Sequence, residues 1–177
     1  MTKDERLGIF WKLMGVTIRQ GKLNEMVVKL EKLGFFDAPA SRSYHGNYEG
    51  GLFNHSVAVT NALLKLTEDN ELWWERKESP YIIGMFHDLC KCDQYIKVEG
   101  GYAYDKDLVL TGHGEKSVII AQQILTLTEE EILCIRWHMG AYDKEENWNH
   151  YNAAVRKYNN VLWTHVADMI ASQIEGV

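Results

Sequence analysis

The chain has 177 residues, 46% of them hydrophobic, which suits one compact core and excludes a disordered polymer. Its net charge of −6 excludes a broad basic surface for gripping long nucleic acid, because backbone binding needs clustered Lys and Arg. Three cysteines, an odd number, and a charged N-terminus without an apolar run point to a reducing, cytoplasmic setting rather than secretion.

In chain order, helical periodicity dominates. Thr2 and Glu5 have capping-box spacing and predict a helix through about Met14. "KLNEMVVKLEKLG" has apolar residues at helical spacing, and Gly34 is its stop. "FFDAPASRSYHGNYEGG" is rich in small residues and glycine and predicts a loop. "LFNHSVAVTNALLKL" is a buried helix, and "PYIIGMFHDLCK" is another, with proline at its start. "YIKVEGGYAYD" predicts a hairpin turning at "EGG". Helices follow over "HGEKSVIIAQQIL" and "LTEEEILCIRWHM", the second opened by the Thr128–Glu131 capping box. "AYDKEENWNH" predicts a polar loop, and "NNVLWTHVADMIASQI" a final amphipathic helix. The expected product is a mostly α single domain over residues 1–177 with one small hairpin. No apolar stretch approaches the roughly 20 residues that a bilayer span needs.

The chemistry starts at "GMFHDLCK". An imidazole and a carboxylate sit side by side on an apolar run, where an unpaired charge is costly. His55 lies inside an apolar helix, His87 and Asp88 end the next, His113 starts one and His138 ends another. Asp168 sits among Ala167, Met169, Ile170 and Ala171. Singly, each histidine is more often a hydrogen-bonded core or helix-end residue than a ligand. As a set, separate helices each offer inward His or Asp, which is how helical bundles assemble metal sites. Imidazole with carboxylate suits Mn, Fe, Co, Ni or Zn, and a cation explains why Asp88 is buried.

The order His55, then His87-Asp88, then His113, His138 and Asp168, resembles the H…HD…H…H…D pattern of the HD-domain superfamily in its six-ligand, two-metal branch. "HDLCK" is similar to that branch's HD-x-x-K form. "APASRSYHGNYEGGLFNHSVAV" resembles the segment before the first ligand in HD-domain 3′→5′ exoribonucleases and their single-domain relatives. The resemblance spans about Phe35 to Ser172 and implies an all-α HD-domain helical bundle. It implies one or two divalent ions, Mg included among the candidates. The first is held by His55, His87, Asp88 and Asp168, and the second by His113 and His138 with Asp88 bridging. The implied activity is a metal-dependent phosphohydrolase that uses metal-activated hydroxide. Asp88 would bridge or manage a proton, and Lys91 would stabilise developing charge. The expected substrate is a small phosphorylated molecule, a nucleotide or short single strand. Those exoribonucleases carry an added OB-fold, for which 177 residues leave no room, and that weighs against polymers. Two rival readings share the ligand pattern: a mixed-valent di-iron oxygenase, and a non-catalytic nucleotide-binding module.

Several neighbours are candidates for substrate contact. Lys91, three residues after Asp88, is placed to meet a phosphate as a point charge. Lys116 shares a helical face with His113, although a surface lysine is the commoner reading. His45 and Tyr48 lie in the loop before His55. His165, one turn before Asp168, is a candidate for supporting the ligands. Arg136 reads as an ion-paired surface residue and His150 as surface. Trp73, Trp74, Trp137, Trp148 and Trp163 read mostly as core, with Trp148 the one aromatic placed to stack on a base. Cys90 and Cys92 lack the C-x-x-C spacing of zinc or redox motifs and read as small core or loop residues.

Overall fold

A computed structural model describes residues 1–177. The eight α-helices are α1 (Lys3–Met14), α2 (Gln20–Lys32), α3 (Gly51–Asp69), α4 (Ser79–Phe86), α5 (Gly114–Ile124), α6 (Glu129–Trp137), α7 (Trp148–Lys157) and α8 (Asn160–Met169). One antiparallel hairpin, β1 (Tyr95–Val98) with β2 (Gly101–Tyr104), pairs Tyr95 with Tyr104 and Val98 with Gly101. The mostly α architecture with a single hairpin at "EGG" matches the expectation from periodicity. No helix is long and apolar enough to cross a membrane.

The long helix α3 lies at the centre, packed against α4 and α8. Its buried residues include Leu52, Phe53, Val59 and Leu63 on one stripe, with His55 on the same inward side. Helix α4 is buried over nearly its whole length, so it shows little polar alternation. Phe10, Phe35, Phe36, Phe53 and Phe86 form an aromatic cluster joining α1, α3 and α4, edge-to-face except for the tilted Phe36–Phe53 pair. Each such ring contributes about 1.5–3 kcal/mol by leaving water.

Both predicted capping boxes form, at Thr2–Glu5 and at Thr128–Glu131. The second does more than start α6. Glu131 is fully buried, and its carboxylate accepts from Arg76 at 2.8 and 2.6 Å and from Ser79 Oγ at 2.9 Å. It thereby fastens the start of α4 to the start of α6.

The structure departs from the sequence expectations in three places. The predicted polar loop ends early, because α7 begins at Trp148 and runs to Lys157. That helix buries only Ala154 fully and is polar on average, although Trp148, Tyr151 and Val155 recur at helical spacing and the last two pack against the core. Trp73 and Trp148 are 77% and 43% exposed, not core. The final helix changes to a π-helical turn at Ile170–Glu175.

Candidate metal centre

Four helix ends and the second turn of a fifth helix converge. His55 comes from the second turn of α3, and His87 caps the C-terminus of α4. At Asp88 the chain leaves helical geometry (φ −110°, ψ 20°) before a 3₁₀ turn over Leu89–Cys92, which turns the carboxylate inward. His113 caps the start of α5 and His138 the end of α6. Asp168 sits near the end of α8.

Two glycines make this convergence possible. A Cβ on Gly84 would lie 2.5 Å from Thr60 Cα, so only glycine lets α4 approach α3 this closely. A Cβ on Gly114 would lie 2.1 Å from the Arg136 carbonyl oxygen, so α5 likewise starts against the end of α6.

The donor atoms face one another across a short span. His55 Nε2 is 3.2 Å from His87 Nε2, 3.2 Å from Asp168 Oδ1 and 3.6 Å from Asp88 Oδ2. His87 Nε2 is 3.5 Å from Asp88 Oδ2. On the other side of the same carboxylate, Asp88 Oδ1 is 2.8 Å from His113 Nε2 and 3.5 Å from His138 Nε2. Three overlapping sets could each hold a metal ion: His55–His87–Asp88, His87–His138–Asp168 and Asp88–His113–His138. Asp88 belongs to two of them.

The ring tautomers decide what these nitrogens offer. His55 Nδ1 meets the main-chain oxygen of Val177 at 2.8 Å. His87 Nδ1 meets that of Gly84 at 2.9 Å, and His138 Nδ1 that of Ile135 at 2.7 Å. A carbonyl only accepts, so each Nδ1 carries the proton and each neutral ring turns its Nε2 lone pair inward. Metal-ligating histidines are oriented by this kind of bond. Two inward lone pairs 3.2 Å apart, on His55 and His87, repel unless a cation or a proton lies between them. Burial pushes the His87 pKa down to about 3, so its ring does not supply that proton at neutral pH. His138 Nε2 and Asp88 Oδ1 are buried without a hydrogen bond of good geometry. Such atoms carry a desolvation penalty of about 1–3 kcal/mol each, which a bound cation removes. The donor set therefore fits a divalent metal.

His113 differs from the others. Its Nδ1 lies 3.4 Å from Cys90 Sγ rather than against a carbonyl. Burial raises the Cys90 thiol to about 12, so it stays protonated.

The charges around the centre are strongly coupled. Burial opposes ionisation of Asp88, yet the Lys91 ammonium above all holds its carboxyl well below the usual range. Burial likewise opposes a charged Lys91, but Asp88 Oδ2, 2.6 Å from Nζ, outweighs it and raises the lysine. The Asp168 carboxyl is lowered against burial by a positive charge at His55 Nε2, the place a cation would take beside the neutral ring. His138 is raised by Asp88 in spite of burial.

A cleft of about 520 Å³ opens onto this centre. Asp88, Lys91, His113 and Asp168 line its inner side, with Tyr44, His45, Met139, Tyr142, His165, Met169, Ser172 and Gln173 around the rest. His45 and Lys91 thus stand where the sequence expected them. Tyr48 does not. Its hydroxyl accepts from Asn54 at 3.0 Å on the outer surface, and Tyr44 takes the place in the cleft. Lys116 is also corrected. It is buried and ion-paired with Asp93, beside a smaller neighbouring recess, because its position on the first turn of α5 aims it at the 3₁₀ segment. Trp148 donates to the Asp143 carbonyl, away from the cleft. Arg136 pairs with Glu115 and Asp143 as expected. His165 supports the centre indirectly, its Nδ1 lying 2.8 Å from the His138 carbonyl oxygen. Sequence reasoning missed Tyr142 and Gln173. It also missed Ser172, for which position was a signal: it lies four residues beyond Asp168, on the same helical face.

Comparison with known proteins gives one partial likeness. Over 68 residues the chain is 38% identical to the dihydroneopterin 2′,3′-cyclic phosphate phosphodiesterase of Methanocaldococcus jannaschii. The match covers 37% of this chain and only 27% of that protein. No family model matches the chain. No solved structure matches it either. The likeness is to a phosphodiesterase, and the cluster beside the cleft consists of His and Asp groups that could bind metal.

Proposed function

We propose that the chain is a metal-dependent phosphohydrolase of the HD type, acting on a small phosphate ester. The observation that carries this reading is the set of inward Nε2 lone pairs grouped around the two oxygens of buried Asp88. The partial likeness to a phosphodiesterase supports hydrolysis over the oxygenase chemistry that the same ligand order also serves.

His55, His87, Asp88 and Asp168 would hold one divalent ion, and His113 and His138, with Asp88 shared, a second. Such ions supply hydroxide near neutral pH and polarise a phosphoryl oxygen. The chain's own residues do the remainder. The carbonyl bonds at Nδ1 fix the imidazoles before any ion arrives, so little reorganisation is needed. Lys91 keeps its proton beside Asp88 and lines the cleft, where its positive charge offsets negative charge gathering on the phosphate. His45 stands at the mouth, its ring 5.2 Å from that of His55 and its pKa lowered by burial, as a neutral hydrogen-bonding group.

Purified protein supplied with Mn should hydrolyse bis(p-nitrophenyl) phosphate or a 2′,3′-cyclic phosphate, and Asp88→Ala should abolish the activity. Undiminished hydrolysis by Asp88→Ala would refute the mechanism.

A further inference from the structure

The cleft is divided chemically. Its inner end holds the Asp88–Lys91–His113–Asp168 group, and its outer walls hold Tyr44, Tyr142, Met139 and Met169. Lys91 is the only Lys or Arg in the lining, and its ammonium already sits 2.6 Å from Asp88 Oδ2. A polyanion is held by several cations along its length, and this cleft, in a chain of net charge −6, provides none beyond Lys91. The lining therefore has capacity for one phosphate at the inner end and no second one outside it.

The outer walls suit a different group. Tyr44 and Tyr142 are 83% and 67% exposed although they line a concave site; the His165 ring stands 6.4 Å from that of Tyr142, and open ring surface remains on both tyrosines. Exposed aromatic faces stack on flat heterocycles with little dependence on which heterocycle it is. Met139 and Met169 add adaptable apolar contact. The exposed Gln173 carboxamide, with both donor and acceptor atoms, stands beside them for the polar edge of such a ring. The volume of about 520 Å³ lies within the usual range for small-molecule sites.

We propose that the cleft binds a single-phosphate ester carrying a flat heteroaromatic ring, with Tyr142 and Tyr44 as the ring-binding walls that set specificity. This deepens the phosphohydrolase reading and rests on it for the turnover assay, but the ring site is also open to a direct binding test.

In the turnover assay, the Mn-supplied full chain is given 2′,3′-cyclic AMP, ethylene cyclic phosphate, which has no heterocycle, and a short single-stranded oligothymidylate. The wild type should prefer the cyclic nucleotide and leave the oligonucleotide intact. In Tyr142→Ala the ratio of kcat/KM for the cyclic nucleotide to that for ethylene cyclic phosphate should fall on the order of tenfold, and in Tyr142→Phe it should hold. In the binding assay, fluorescence anisotropy follows 1,N6-etheno-AMP on the same three proteins. Binding by wild type and Tyr142→Phe, weakened about tenfold in Tyr142→Ala, supports the ring site even if no substrate is turned over; that outcome sinks the hydrolase reading alone. Efficient cleavage of the oligonucleotide, an unchanged ratio in Tyr142→Ala, or equal binding of the probe by wild type and Tyr142→Ala overturns the ring-site proposal.

Discussion

Replacing Gly84 with alanine tests the geometry that brings His55 and His87 together. The added methyl would fall 2.5 Å from Thr60 Cα, 2.6 Å from its Oγ1 and 2.8 Å from its backbone nitrogen. Carbon atoms rest about 3.5–4.0 Å apart, so α3 and α4 must separate by roughly 1 Å. The obstacle is helix backbone, which cannot rotate aside as a flexible side chain would. Overpacking of this kind costs about 1–3 kcal/mol, which for a chain of this length lowers Tm by roughly 3–10 °C. The same displacement reaches the centre, since His87 is three residues past Gly84 and His55 five before Thr60. Ligand distances tolerate only about 0.2 Å, so metal affinity should drop about 10–100-fold, the range seen when ligand support is disturbed. Gly8 is the control. It also lies inside a helix, but nothing stands within 4 Å of its added methyl. Gly8→Ala should therefore stabilise by about 0.5–1 kcal/mol and leave metal affinity alone. Calorimetric unfolding and metal titration read both effects. A Gly84→Ala protein with wild-type Tm and wild-type metal affinity would refute the close crossing of α3 and α4.

Other expectations follow from single side chains. Lys91→Met should lower kcat by about 10²-fold while the bound metal remains, as elemental analysis alongside kinetics would show; loss of metal together with activity would assign Lys91 to holding the site instead. Glu131→Gln should cost about 3 kcal/mol, measured by the urea midpoint, because Arg76 and Ser79 lose a buried carboxylate. Asp143 is held below its ordinary 3.8, burial being outweighed by bonds from Arg136, Asn147 and the Lys144 amide. A depressed carboxyl adds stability that is complete above its unfolded pKa and is lost as pH falls through the folded one. Asp143→Asn should thus flatten the acid limb of the stability profile below about pH 4 and leave its slope near pH 7 unchanged.

The parts of the fold that were legible in the sequence are those with strong local chemistry. The capping boxes at Thr2 and Thr128 and the "EGG" turn are specified by residues within four positions of each other. Helix α7 was missed although Trp148, Tyr151 and Val155 recur at helical spacing, because they sit in a stretch that is polar on average and follows directly on a polar loop. At the centre, the expectation that Asp168 lies beside the imidazoles of His55 and His87 agrees with the structure, where a polar residue among Ala167, Met169 and Ile170 had signalled an inward position. Loop residues were harder. Tyr44 and Tyr48 are equivalent in composition, and only the three-dimensional path of residues 41–50 turns one into the cleft and the other toward Asn54. Lys116 was misread because helical facing relates it to His113 but says nothing of Asp93, which reaches it from the 3₁₀ turn after the aspartate.

The account stands on cations gathered by His55, His87, Asp88, His113, His138 and Asp168. Elemental analysis of native protein after exhaustive dialysis, in parallel with Asp88→Asn and Asp168→Asn, tests this most directly. About one to two first-row transition-metal ions per chain are expected in the native protein, with Asp88→Asn nearly empty and Asp168→Asn reduced. Native protein free of metal that also fails to take up Mn, Fe, Co or Zn on titration would contradict it.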